Sequence, residues 1–256
     1  MLGQDVMRAA GDRGVGFAKA DLDVTDAAAV ADALGGTTVV NCAAYTDVDG
    51  AEADPDDAHA VNERGARNVA EAAARVVYVS TDYVFDGLKP TAYVESDHVH
   101  PLSVYGRSKL AGERATLTAS PQSLIVRSAW LFGAGGRNFV ETMLRLGEER
   151  DRVNVVDDQV GCPTFTGHLG EALVGLAEGH QHGFLHVAGA GACSWYEFAR
   201  AIFERAGLAA DLRPCTTAEF PRPARRPANS VLASERGAPR LPAWQEGLDA
   251  YLGVRA

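Results

Sequence analysis

Apolar positions along the chain fall into two alternating patterns. Thr37–Ala44, Arg75–Ser80 and Ser123–Gly133 are short β-branched runs, apolar at nearly every position in their centres, as in strands buried on both faces. Between them the spacing is helical. Met1–Ala10 opens the chain with Val6, Met7 and Ala10 on one side, and Ala27–Leu34 follows with Thr25 or Asp26 as its cap. Two more helices are predicted around Ala51–Pro55 and over Ala60–Ala74, the second with Asn62 inside it; Tyr105–Thr118 and the amphipathic Asn138–Arg150 come later. Gly14–Lys19 reads as one further short strand. The alternation predicts an α/β fold, a doubly wound parallel sheet with helices on both faces. Ligands bind such sheets at the carboxyl ends of the strands. Ala44-Tyr45-Thr46, Ser80-Thr81-Asp82 and Ser128-Ala129-Trp130 all fall there. The join at Ala74-Arg75 leaves almost no loop between helix and strand, shorter than such connections normally are.

Beyond residue 150 the texture changes. A loop at 157–164 precedes a helix over 167–178, a strand over 183–188 and a helix over 194–206 capped by Ser194. Residues 211–240 are rich in proline and arginine. They read as an irregular surface segment, or as a rim that brings Arg225 or Arg226 to a phosphate. The chain thus divides into residues 1–150 and 151–256, with about 165–190 returning to the first unit.

Composition removes several function classes. The 256 residues are 46% hydrophobic and 23% charged, with no apolar run long enough to span a bilayer. The amino terminus lacks the basic start and apolar centre of a secretory signal, so the cytoplasm is expected. Cys42, Cys162, Cys193 and Cys215 are widely spaced, and the histidines are scattered, so neither a disulfide framework nor a metal centre is expected. The net charge of −10 comes without any basic run, which argues against nucleic acid. Any phosphate must be held locally, by helix amino termini, backbone amides or single arginines.

The chemistry concentrates in Tyr105 and Lys109. Four positions apart on one helix, they share a face and can meet one substrate. A free phenol titrates at about 10, and a neighbouring ammonium favours the phenolate. The pair therefore predicts acid/base work on a substrate oxygen, with Lys109 lowering the pKa of Tyr105. Alone, that spacing equally suits a surface tyrosine on a solvated helix.

The surrounding motifs are Asn41-x-Ala-Ala-Tyr-Thr-x-Val-Asp, Ser80-Thr-Asp-Tyr-Val-Phe-Asp-Gly, Tyr105-Gly-x-Ser-Lys-Leu-x-Gly-Glu, Arg127-Ser-x-Trp130, Asp158-Gln-x-Gly-x-Pro-Thr and Arg225-Arg-Pro-x-Asn-Ser. Together and in order they resemble the extended short-chain dehydrogenase/reductase family, in its dTDP-4-dehydrorhamnose reductase branch. The resemblance implies a Rossmann-like NAD(P)-binding domain followed by a small α/β substrate-binding region. It implies reduction of the carbon-4 ketone of a dTDP-linked 4-keto-6-deoxy sugar by NADPH or NADH, in dTDP-rhamnose biosynthesis. Tyr105 corresponds to the proton donor, Lys109 to the residue that tunes it and holds the nicotinamide ribose, and Thr81 to the hydroxyl partner of the substrate oxygen. Thr81, Asp82 and Trp130 match sugar-contacting positions. Met1, Leu2, Asp23, Val24, Ala44, Tyr45 and Thr46 match cofactor-contacting positions, as do Tyr105 and Lys109. Asn62 matches a structural asparagine near the catalytic strand.

Two features qualify the resemblance. Related dehydratases carry an acidic residue after the Thr-Asp pair, where this chain has Tyr83, and epimerases commonly lack that pair, so reduction is the expected reaction. The family also begins with a strand and a T-G-x-x-G-x-x-G turn, of which this chain has only the last residues, Met1-Leu2-Gly3. The expectation is therefore a sheet without its first strand, and a non-catalytic NAD(P)-binding homologue or truncated inactive reductase is the alternative. Some relatives dimerise through a divalent metal such as Mg2+. No ligands for one are assignable here, and both monomer and homodimer are open.

Overall fold

The structure, a computed structural model, describes residues 1–255. In chain order the first half runs α1 (Leu2–Ala10), α2 (Ala27–Leu34), β1 (Thr38–Asn41), α3 (Gly50–Ala53), α4 (Pro55–His59), α5 (Ala66–Ala72), β2 (Arg75–Thr81), α6 (Val104–Ala119) and β3 (Leu124–Ser128). It continues through β4 (Leu131–Phe132), α7 (Phe139–Glu149), β5 (Arg152–Val156), β6 (Val160–Gly161), β7 (Thr164–Phe165), α8 (Thr166–Glu178) and β8 (Gly183–His186). The last elements are β9 (Cys193–Ser194), α9 (Trp195–Ala206), β10 (Asp211–Cys215) and α10 (Trp244–Arg255).

Among the described residues the main sheet is parallel, with strand order β1-β2-β3-β8. Alternation along β2 builds both faces. Val77 and Val79 face a core with Leu2 and Val6 of α1 and Leu169 and Leu173 of α8, whereas Val76 and Tyr78 face Val30 of α2 and Val69 of α5. The expected α/β fold is therefore present, with the carboxyl ends of β1, β2 and β3 on one side. Gly14–Lys19 is exposed coil, not the expected strand: it pairs with no strand, and a lone run has no ladder of hydrogen bonds to hold it extended.

Local chemistry sets several boundaries. Asp26 accepts from the amides of Ala28 and Ala29, Ser103 from Gly106 and Asn138 from Glu141, each at a helix start. Ser194 and Glu197 form a reciprocal capping box on α9. The tight join before β2 closes with Ala73 and Ala74, because the Ala74 amide donates to Thr37 O at 2.8 Å and ties the turn to the start of β1. The predicted helix 60–74 is interrupted by a wide π-type turn over Ala60–Gly65, which carries Asn62.

A second core lies outside the sheet. Val140, Met143 and Leu144 of α7 pack there with Val153, Val155, Phe198, Ile202 and Leu248. Parallel β5 and β10, which the hydropathy pattern does not predict, border it. Helix α7 thus packs with the later elements, while α8 and β8 pack with the sheet.

Candidate active site

The sheet delivers Thr81, the last residue of β2, beside the amino end of α6. Gly106 lets that helix approach, since a Cβ there would lie 2.3 Å from the Tyr83 carbonyl oxygen. Gly112 does the same one face on, where a Cβ would lie 2.0 Å from the Asn62 carbonyl oxygen. The close approach places the Tyr105 phenol within hydrogen-bonding reach of the Thr81 hydroxyl. Thr81 in turn donates to Asp82 Oδ1 at 3.0 Å, and the Tyr83 ring meets Tyr105 edge-on at 5.8 Å.

The electrostatics differ from the sequence expectation. Burial raises Tyr105 to about 12, with Thr81 opposing the shift and Asp82 adding to it. Lys109 is buried, donates to Val79 O at 2.7 Å and lies 4.1 Å from the centre of the Tyr78 ring. Its own pKa is lowered to about 7 by burial, against the pull of Glu113 and Cys42. Burial of the phenol dominates, so the pKa of Tyr105 is raised where the sequence led to the expectation of a depression by Lys109. A phenol in this state is protonated at neutral pH and can give up a proton, not take one.

Asp82 is a second unusual acid. Burial lifts it to about 7, opposed by the neighbouring Ser230 and Thr81 hydroxyls, and its Oδ2 is buried without a hydrogen-bond partner. Ser230, in the Arg225-Arg-Pro-x-Asn-Ser stretch, was not among the residues singled out, although it stands in a quoted motif.

Trp130 is the described non-glycine residue with positive φ, at 48°. Its indole stacks on Trp195 with centroids 3.4 Å apart, and a Cβ on Gly161 would fall 2.4 Å from Trp130 Cε2. The ring is thus held as a wall between α9 and β6. Trp195 joins the candidate site through this stack, and the sequence pattern did not reveal it, because helical spacing marked it only as the start of α9.

The candidate cofactor residues cluster less tightly. Met1 precedes α1, and its amine donates to Gly135 O at 3.4 Å; a Cβ on Gly3 would lie 3.8 Å from Cys42 Cβ. The start of α1 therefore abuts the carboxyl end of β1, and the first amides of a helix, Leu2 among them, have no acceptor within it. Tyr45 is fixed by Asn62, which accepts from its amide at 2.9 Å and donates to its carbonyl at 3.1 Å and to Ser108 Oγ at 2.9 Å. Ala44 is half-buried and Thr46 exposed on the same loop. Asp23 is exposed and accepts from the amide and hydroxyl of Thr25, which lower its pKa. The Val24 side chain packs where Gly65 leaves room, and its carbonyl accepts from Asn68.

Arg225 is exposed, and Arg226 is paired with Asp49 rather than left free for a phosphate. Among the described residues, no group of three or more His, Cys, Asp or Glu is arranged to hold a metal ion, and no helix is long and apolar enough to cross a membrane.

The family model described as the RmlD substrate binding domain matches residues 1–255. A dTDP-4-dehydrorhamnose reductase of Mycobacterium tuberculosis is 45% identical, covering 91% of this chain and 82% of that protein. A probable dTDP-4,6-dihydroxy-2-methyloxan-3-one 4-ketoreductase of Streptomyces antibioticus is 43% identical, covering 89% of this chain and 82% of its own length. The crystal structure of the Bacillus anthracis dTDP-4-dehydrorhamnose reductase in complex with NADP superimposes with a TM-score of 0.94 at 37% identity, covering 100% of this chain and 95% of that one.

Proposed function

The chain belongs to the RmlD substrate-binding domain family, and from that membership we propose that it reduces the carbon-4 ketone of dTDP-4-dehydro-L-rhamnose to dTDP-L-rhamnose with NADPH. The observation that carries the reading is the meeting of the Thr81 hydroxyl, the Asp82 carboxyl and a protonated Tyr105 at the end of β2.

Tyr105 gives its proton to the oxygen at carbon 4 as negative charge develops there, and the Thr81 hydroxyl steadies the same oxygen. Asp82 and Trp130 bound the sugar. NADPH supplies the hydride when bound. The residues present fit it: Lys109 has three N–H donors and makes one hydrogen bond to the protein, to Val79 O, which leaves donors for ribose hydroxyls. Leu2 and the residues beside it would offer helix-start amides to the diphosphate, and Asp23, Val24, Ala44, Tyr45 and Thr46 would hold the rest of the cofactor. NADP in the Bacillus anthracis structure supports this choice of cofactor.

In this reading the first 150 residues mainly hold the cofactor and the remainder mainly the sugar nucleotide, and the reaction belongs to the cytoplasm. A second reading, reduction of another dTDP-4-keto-6-deoxy sugar, is favoured by the similarity to the Streptomyces antibioticus protein. Incubation with each ketone and nicotinamide-deuterated NADPH tests both. Deuterium at carbon 4 of the rhamnosyl product supports the first reading, turnover of a different ketone alone supports the second, and no transfer to either overturns the function.

A further inference from the structure

One carboxylate ties together segments 173 to 177 residues apart. Asp49, in the loop between β1 and α3, accepts from Arg222 Nε at 3.0 Å and Nη2 at 2.5 Å. It also accepts from Arg226 Nη1 at 3.0 Å and Nη2 at 2.9 Å, and from the Ala224 amide at 3.1 Å. These donors fill the acceptor sites of a carboxylate, whose pKa they hold well below the usual range despite its partial burial.

The fastened segment has little structure of its own. Residues 216–243 contain no helix, and the segment is joined to the rest of the chain by isolated bridges, Val160 with Asn229, Tyr93 with Leu232 and Ala190 with Ala243. Its position bears on the site at several points. Arg226 lies against the Tyr83 hydroxyl, and Tyr83 packs edge-on against Tyr105. Asn229 donates to the carbonyls of Lys89 and Thr91, and buried Ser230 lies beside the Asp82 carboxyl. The two arms of the clamp differ in weight. Arg226 and Asp49 side chains are each 17% exposed, whereas Arg222 is 49% exposed and more readily screened by water and salt.

We propose that Asp49 is a positioning residue: by clamping Arg226 and Arg222 it holds the segment 222–230 against Tyr83 and Asp82, so that the sugar-facing wall of the site is assembled before the sugar nucleotide arrives. The effect on turnover rests on the reductase reading above; the clamping of the segment does not. The same geometry neutralises the arginines internally, so they serve as struts of the wall and not as its phosphate ligands.

The test compares wild type with Asp49→Asn, Asp49→Glu, Arg226→Gln and Arg222→Gln. Amide hydrogen exchange of the peptide spanning 216–233 reports the clamp, and steady-state kinetics together with NADPH titration report its consequence. Asp49→Asn is expected to speed exchange in that peptide by about tenfold, raise KM for the sugar nucleotide by about tenfold and leave the Kd for NADPH within about twofold. Arg226→Gln reproduces this, Arg222→Gln gives the smaller effect, and Asp49→Glu recovers most of the wild-type KM. Three results overturn the proposal: exchange unchanged in Asp49→Asn, faster exchange with an unchanged sugar KM, or NADPH affinity falling as far as sugar affinity. Should Asp49→Asn fail to fold, the two arginine variants carry the same readouts, and equal effects from both arms overturn the weighting. If wild type turns over no sugar nucleotide, the proposed function fails by itself, and exchange with dTDP titration of the same variants still decides the clamp.

Discussion

Lys109 donates to the carbonyl of Val79 at 2.7 Å, two residues before Thr81 ends the same strand. The buried ammonium is therefore part of β2's own bonding, and its burial lowers its pKa. A Lys109→Met variant removes both the charge and its burial cost. Its turnover is expected to fall by about a hundredfold or more. Because the folded pKa of about 7 lies below the unfolded value, the native state loses stability as pH falls from 10.5 toward 7. Thermal melts should show the variant gaining on wild type as pH falls through that window, and a constant difference across it contradicts the assignment.

Asp82 has the opposite sign. Its folded pKa of about 7 lies above the ordinary aspartate value of 3.8, so its contribution is fully present below pH 3.8 and is lost as pH rises through 7. Asp82→Asn is accordingly expected to be more stable than wild type at pH 8, by on the order of 2–4 kcal/mol, and to lose that advantage near pH 4. Denaturant titrations at the two pH values check this. The same variant should turn over sugar more slowly, a trade of activity for stability.

Gly161 sets the position of Trp130. With a Cβ placed 2.4 Å from Trp130 Cε2, Gly161→Ala pushes the indole off Trp195. The sugar KM is expected to rise by about tenfold with NADPH binding unchanged, and the tryptophan fluorescence spectrum should shift. An unaltered KM removes Trp130 from the sugar wall.

The Glu113 carboxylate lies 1% exposed and takes a bidentate pair from Arg127, at 2.9 and 2.8 Å, together with the Ser80 hydroxyl at 2.6 Å. Glu113→Gln leaves the Arg127 charge buried without its counter-ion. Urea titration should show a loss of about 3–5 kcal/mol, and an unchanged midpoint contradicts a buried ionic partnership.

Much of this was legible in the sequence where the determinant is local. The caps at Asp26, Asn138 and Ser194 declare their helices, and the β-branched runs of β1, β2 and β3 declare strands buried on both faces. The glycines of the Tyr105 motif are explained by the close approach of Tyr83 and Asn62. What depends on distant partners was not legible. Gly14–Lys19 has strand-like composition without a paired neighbour, and β5 and β10 pair across 59 residues with polar positions on their open side. The Asp49 clamp and the stack of Trp130 on Trp195 join residues whose spacing carries no periodic signal. Nor could the pattern reveal that Lys109 is engaged by Val79, or that burial raises the pKa of Tyr105.

The central claim is that a protonated Tyr105 completes reduction of a sugar ketone. Oxidation of NADPH in the presence of dTDP-4-dehydro-L-rhamnose, followed at the nicotinamide absorbance for wild type and Tyr105→Phe, tests it most directly. Wild type is expected to show ketone-dependent oxidation and the variant a loss of about a hundredfold or more, with NADPH affinity retained. No oxidation by wild type, or equal rates in the two proteins, contradicts it.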